Sequence, residues 1–213
     1  MKKLVPFLLM AAMLFSCPML SAQSKAMEKA RAKEYKAKMK EYKKEGWTLF
    51  GSSRSLDMAL LNHYEKLNQG GDNVREVVGI ATRFKSKNVG HQMAVNSACL
   101  TYSQQAGSYV KGRVVSDMAG DGIDAEKEFE HFYAAYERLV EKEIKGEMRE
   151  SYSVIRDNGD GTFEMQTFFI IDEDAATEAR IRAYENAMRE TEAAQKHAQK
   201  VADFVRAGFP VTQ

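Results

Sequence analysis

The side chains best suited to chemistry in this chain are its histidines, and their spacing is unlike that of a metal site. His63, His91, His131 and His197 are far apart in the sequence. A zinc or copper centre needs three or four ligands that converge in space. We therefore expect no metal site and no cofactor, and we expect His131 and His197 to face solvent on the charged sides of their helices.

Cys99 is the candidate nucleophile, with His63 or His91 as its candidate base. It belongs to an apolar repeat at helical spacing, which includes Val95 and Tyr102. A reactive thiol needs an electropositive and partly open site, whereas a thiol in an apolar stripe behaves as a small hydrophobic residue. The sequence therefore predicts that Cys99 is a core residue and that the chain is not an enzyme.

The segment 157–162 resembles a calcium-binding loop because it is rich in Asp, Asn and Gly. The match fails at its third position, where Gly159 replaces a side chain that would carry an oxygen ligand. It also fails at the twelfth position, where Phe168 stands in place of the bidentate glutamate. Residues of this type tolerate the backbone angles of tight turns, so the segment predicts a β-hairpin.

The first 22 residues have the pattern of a signal peptide. Lys2 and Lys3 form a short basic region, residues 4–15 form an apolar core, and small residues follow up to Ala22. This apolar core is shorter than the roughly 20 residues that a membrane-spanning helix needs. The sequence predicts export to the bacterial periplasm or to a membrane face that bounds it.

Two processing routes are compatible with this leader. Cleavage after Ala22 would give a mature chain that begins at Gln23. Alternatively, residues 14–17 form a lipobox, in which Cys17 would receive a lipid anchor. Phe15 and Pro18 fit the lipobox poorly, and Leu20 stands where cleavage after Ala22 favours a small residue.

The composition indicates one ordinary globular domain without crosslinks. By either route Cys99 is the only internal thiol of the mature chain, so no disulfide between two internal cysteines can form. The 31 basic and 30 acidic residues give a formal net charge of +1. Nucleic-acid-binding domains are usually strongly basic, so we expect no nucleic-acid partner.

Residues 23–46 predict a basic amphipathic helix. Between Lys25 and Glu45 there are nine basic and four acidic residues, a local excess of five positive charges. The segment is rich in Ala, Lys, Glu and Met, which favour helices. Its candidate contacts to a membrane, a wall polymer or a partner helix are Lys36, Lys38, Lys40 and Lys43. The alternative is a solvated helix that packs one stripe on its own domain.

Residues 47–209 predict a single α+β domain, because helical and strand patterns alternate along the segment. We expect helices packed on one face of a small, mainly antiparallel sheet, with long helices at both ends of the chain. Strands are predicted at 47–52, 74–85, 112–118, 151–156 and 162–171. Helices are predicted at 56–70, 88–110, 124–145 and 174–207.

Five segments of this domain form a recognisable order: 77–81, a helix containing Ala94 and Ala98, 110–115, a long amphipathic helix and 167–171. This order of elements resembles the small twenty-kilodalton lipoprotein antigens of the bacterial envelope and the related N-terminal module of a flagellar-assembly periplasmic protein. The resemblance covers residues 74–185. It implies helices on one face of an antiparallel sheet, an envelope location and no known active site. The basic N-terminal helix and the long C-terminal helix depart from the family pattern.

Two functional hypotheses follow from the sequence. The first is an exported, non-catalytic protein that binds another envelope component, either a protein or a wall or lipid component, through the basic helix or the uncovered sheet face. The second is a periplasmic protein that binds a small ligand or a metal in a pocket between helices and sheet, with or without catalysis. The sequence favours the first hypothesis because no catalytic or metal-ligand spacing is present.

Overall fold

The computed structural model describes residues 18–118, 120, 124–189 and 192–208. The chain divides into two compact units, Met1–Glu45 and Gly46–Gln213. The candidate lipidation residue Cys17 and the leader residues before it lie outside the described residues.

The first unit contains one long helix, α1 (Pro18–Glu45). No glycine and no further proline interrupt this segment, and its Ala, Lys, Glu and Met residues favour helix. Gly46 follows the helix with a φ of 76°. Glycine adopts this left-handed conformation without a steric penalty, which explains why the helix ends here. The candidate cleavage junction after Ala22 lies within α1.

The second unit contains a four-stranded antiparallel sheet with the strand order β1-β3-β4-β2. The strands are β1 (Thr48–Phe50), β2 (Val74–Phe84), β3 (Arg149–Asp157) and β4 (Phe163–Asp172). In β2 the buried and the more exposed residues largely alternate, as expected for a strand with one face in the core. Together with the helices, this sheet confirms the predicted α+β class.

The β3–β4 connection is the predicted hairpin. Asn158 N donates to Thr162 O at 3.0 Å, and Gly159 and Gly161 have φ values of 78° and 79°. Asp160 Oδ1 accepts from Thr162 N at 3.0 Å and so holds the turn. This acidic loop is therefore explained by turn formation.

Helices cover the sheet mainly on one face. The helices of this unit are α2 (Leu56–Gly70), α3 (Lys87–Met118), α4 (Ala125–Glu128), α5 (Glu130–Ile144), α6 (Glu173–Met188), α7 (Glu192–Lys196) and α8 (Ala198–Ala207). Helix α3 packs on β2 and β4, α5 packs on α3 and α6, and α8 packs on α6. Helix α2 lies on the opposite face, where its His63 ring contacts Tyr152 of β3 and Phe168 of β4.

The strand predicted at 112–118 is wrong, because these residues continue α3 to Met118. Val114 and Met118 follow Val110 at intervals of four residues, and all three are buried. They extend the apolar stripe of the helix, so its packing overrides the preference of valine for strands. The 110–115 segment of the family resemblance is consequently helical in this chain.

Two predicted long helices are interrupted. The helix predicted at 124–145 is divided at Phe129, whose ring is fully buried and stacks on Tyr133. The helix predicted at 174–207 is divided into α6, α7 and α8, with His197 between the last two. In both cases the amphipathic pattern continues across the break, which is why periodicity alone did not locate it.

The main core lies between the sheet and the helices of its covered face. Aromatic rings fill its centre, including Tyr102, Phe132 and Tyr136, each with no exposed surface. Small residues of α3 and α6 let these helices approach their neighbours closely. Cys99 belongs to this cluster, as its helical spacing predicted.

Candidate functional site

The most enclosed histidine of the second unit, His63, makes structural contacts. Its side chain is 1% exposed, its Nε2 bonds to Glu76 Oε2, and its ring meets Tyr152 edge-on at 5.1 Å. Its Nδ1 is buried and has no hydrogen-bond partner among the described residues. No serine, threonine or cysteine is among the contacts of His63 that the structure describes. These contacts are those of a histidine that anchors α2 on the sheet.

His91 belongs to a polar chain that runs from α3 to β3. Its Nε2 lies 2.8 Å from Glu150 Oε2, and Ser153 Oγ donates to Glu150 Oε1 at 2.6 Å. In serine hydrolases the histidine contacts the serine hydroxyl, and the carboxylate orients the histidine from behind. Here the carboxylate lies between the two groups, so His91 is not placed to take the proton of Ser153.

Cys99 does not meet a histidine. Its thiol is buried and lies 3.7 Å from the sulfur of Met148. Burial raises the pKa of the Cys99 thiol, because the thiolate would lose its hydration. A protonated, enclosed thiol is a poor nucleophile, which agrees with the prediction that Cys99 is a core residue.

The remaining histidines are separate from these groups. His131 is exposed, as predicted, whereas His197 is half-buried with its ring 5.9 Å from that of Phe129. Among the residues that the structure describes, no three His, Cys, Asp or Glu side chains are placed to hold a metal ion.

Helix α1 instead places five of its lysines along one face. Its 3.6-residue period brings five lysines to one face, at alternating intervals of four and three residues. All five side chains are exposed, and none makes an ion pair with another described residue. We define this set as the lysine stripe. Its members are Lys29, Lys33, Lys36, Lys40 and Lys43.

Lys38, although predicted as a contact residue, lies on the other side of α1. Its Nζ pairs with Glu41 at 2.9 Å and lies 5.0 Å from the ring centre of Tyr42. The structure thus brings together three of the four predicted lysines and separates the fourth. Lys29 and Lys33 were missed as members of the face, although their spacing from Lys36 in the sequence contained the signal.

The lysine stripe is a dense line of positive charge. Its ends are 14 residues apart, which corresponds to about 21 Å along the helix axis. The acidic residues Glu34, Glu41 and Glu45 fall on the opposite half of the helix by the same period. Because no carboxylate interrupts it, the stripe presents five positive charges to one surface.

Helix α1 is only weakly amphipathic, because alanines and lysines are spread around much of its circumference. Helices that embed in a lipid surface have a wide apolar face with large aliphatic or aromatic residues. The lysine stripe therefore suits contact with a negatively charged surface more than insertion into acyl chains. No helix within the described ranges has the length and apolarity required to cross a membrane.

No protein-family profile matches this chain, and no curated protein or solved structure matches it significantly.

Proposed function

We propose that this chain is an exported, non-catalytic protein of the bacterial envelope that binds an anionic envelope component through the lysine stripe of α1. The single observation that carries the proposal is the alignment of Lys29, Lys33, Lys36, Lys40 and Lys43 on one exposed helix face without acidic partners. The signal-peptide pattern of the first 22 residues supports delivery to the periplasm.

Such a face binds anions by electrostatic contact at several points. Successive lysines of the stripe are separated by about 4.5 to 6 Å along the axis, so a polymer or surface with closely spaced carboxylates or phosphates can meet several at once. Each exposed contact is weak by itself, because water and salt screen it. Binding should therefore depend on the number of lysines and fall steeply as the ionic strength rises.

The second unit supports a role in binding more than a role in catalysis. Its interior is filled by aromatic and small apolar side chains, and His63, His91 and Cys99 do not meet around a common cavity. The resemblance to the envelope lipoprotein antigens supports the same location and the absence of a known active site. Lipidation at Cys17 would add a membrane anchor to this contact, and cleavage after Ala22 would leave the stripe as the main attachment.

The experiment is co-sedimentation of the purified chain that begins at Gln23 with two anionic targets. Isolated cell-wall sacculi and vesicles with a fraction of anionic phospholipid are each mixed with the protein at low ionic strength. We expect the protein to pellet with at least one target and to be released as sodium chloride is raised, because screening weakens each lysine contact. Failure to pellet with either target, or binding unaffected by salt, would contradict the proposal.

The source of the anion follows from the same experiment. Pelleting with sacculi but not with anionic vesicles assigns the stripe to a wall polymer, and the reverse assigns it to lipid headgroups. The processing route is determined by the intact mass of the mature protein isolated from cells. A diacylated Cys17 and a free Gln23 terminus differ in both mass and membrane partitioning.

A further inference from the structure

The sheet has an open edge along the first half of β3. Strand β1 pairs with β3 only at Thr48–Phe50, opposite Ile155 to Ser153. Gly51 then has a φ of 70°, a conformation suited to glycine, and the chain leaves the sheet. Among the described strands, none pairs with residues 149–152 on this side. This part of β3 is therefore an unpaired edge next to the end of β1, and it contains a β-bulge between Glu150 and Tyr152.

A cleft of about 350 Å³ lies along this open edge. Its first wall is formed by Gly51, Ser52 and Arg54 after β1, and its second wall by Asn62 and Lys66 of α2. The cleft is also lined by four residues at the edge of β3. These are Glu150, Ser151, Tyr152 and Ser153.

Two positive side chains, Arg54 and Lys66, line this cleft and are exposed. Neither makes an ion pair with another described residue. Glu150 is the single acid among the described residues of the lining, and both of its carboxylate oxygens are engaged, one by His91 and the other by Ser153. The cleft therefore offers a guanidinium and an ammonium to a ligand, while its own carboxylate is already bonded.

We propose that this cleft binds the extended C-terminal end of a partner polypeptide as an added strand alongside residues 149–152 of β3. The peptide backbone continues the line of β1 and pairs with the open edge, and its terminal carboxylate lies between Arg54 and Lys66. The apolar side chains of Leu49, Phe50 and Tyr152 contact the side chains of the peptide.

The open strand edge and the pair of positive side chains together select this ligand. An open strand edge binds extended backbones through main-chain hydrogen bonds, and capture of a terminal carboxylate is a recurring way to fix the register of the added strand. A free cationic pair without an edge would suit any small anion. An edge without charges would suit any extended segment, so the combination favours a chain end.

The test uses a mixture of N-acetylated pentapeptides, randomised at four positions and ending in alanine with a free carboxylate. Backbone amide resonances of the ¹⁵N-labelled chain that begins at Gln23 are followed during titration. We expect saturable shifts at residues 149–153. The same mixture with an amidated C-terminus should bind about tenfold more weakly, because the charged contact is lost.

Two variants assign the charge contact. Arg54→Ala with Lys66→Ala should weaken binding of the free-acid peptides at least tenfold, whereas the matched pair Lys85→Ala with Lys127→Ala should leave it unchanged. N-methylation of alternate peptide amides should abolish the shifts, since it removes donors to the edge. Absence of saturable binding, or equal binding of free-acid, amidated and N-methylated mixtures, would overturn the proposal.

The cleft proposal does not depend on the lysine stripe. The Arg54 and Lys66 variant should pellet with sacculi or anionic vesicles as the unaltered protein does. Loss of peptide binding with unchanged pelleting would assign the two activities to separate sites.

Discussion

Gly79 of β2 lies directly against the backbone of Ala94 in α3. A Cβ atom at residue 79 would overlap the carbonyl oxygen of Ala94 and would also approach the Ala98 side chain. The contact explains two sequence features at once, the glycine within a long strand and the alanines along the facing side of α3. It also sets the distance between the sheet and its main helix, on which the packing of α5 and α6 depends.

Replacing Gly79 should therefore destabilise the second unit. We expect Gly79→Ala to lower the free energy of unfolding by about 1 to 3 kcal/mol, since helix or strand must shift to admit the methyl group. The free energy of unfolding is measured by urea denaturation, with the fluorescence of Trp47 as the signal. The control is Gly112→Ala in α3, the helix that Gly79 contacts, because an added Cβ at residue 112 meets no atom within 4 Å. This control should be neutral or stabilising by up to about 1 kcal/mol; equal losses for both variants would refute the close-packing account.

The hydroxyl of Tyr136 is buried and has no hydrogen-bond partner among the described residues. Tyr136→Phe removes a desolvated polar group without leaving a cavity, so it should raise the free energy of unfolding by about 1 to 2 kcal/mol. Tyr102→Phe is the contrasting variant, because the Tyr102 hydroxyl accepts a hydrogen bond from buried Arg180 at 2.5 Å. It should destabilise the protein, and a loss of stability in Tyr136→Phe would indicate that its hydroxyl is bonded.

Burial also raises the pKa values of Tyr102 and Tyr136 above the ordinary value of 10.0, because the phenolate would lose its hydration. Below pH 10 the folded and the unfolded chain both keep these protons, so the free energy of unfolding does not change. As the pH rises above 10, the unfolded chain releases them first, so the free energy of unfolding falls. Denaturant midpoints measured across this range should decline less steeply in Tyr136→Phe than in the unaltered protein. Identical slopes would show that Tyr136 ionises normally.

Cys99 should be protected from thiol reagents in the folded protein. Its burial and raised pKa both keep the thiolate scarce and enclosed, so labelling should be slow until denaturant is added. Cys99→Ser places a hydroxyl in the same apolar cluster and should cost about 1 to 3 kcal/mol, more than Cys99→Ala. Rapid labelling of the native chain, measured by mass spectrometry, would place the thiol in an open site instead.

The sheet and its hairpin were predictable because their signals are local. Alternation in residues 74–85 predicted the strand that the structure shows as β2 (Val74–Phe84), and the Asp, Asn and Gly residues of 157–161 predicted the turn. The end of α3 was not predictable in the same way, since Val114 and Val115 favour a strand by themselves. This segment is helical because of the tertiary contacts of Val114 and Met118.

The candidate functional residues, too, were predictable only where their signal is local in the sequence. A charge count located the basic helix, but it treated Lys38 as equivalent to Lys36, although the helical period places them on opposite sides. The open edge of β3 depends on where β1 ends and on the conformation of Gly51, which are tertiary facts. The resemblance to the envelope antigens and the lipidation of Cys17 stay predictions.

Binding through the lysine stripe is tested most directly by two double charge reversals within α1. Lys36→Glu with Lys40→Glu alters the lysine stripe, whereas Arg31→Glu with Lys38→Glu makes the same change of net charge on the other side of the helix. Co-sedimentation with the anionic target is measured for both, after circular dichroism has shown equal helix content. We expect binding to be lost in the first variant and largely kept in the second. Equal loss in both, or no loss in either, would contradict binding through the stripe.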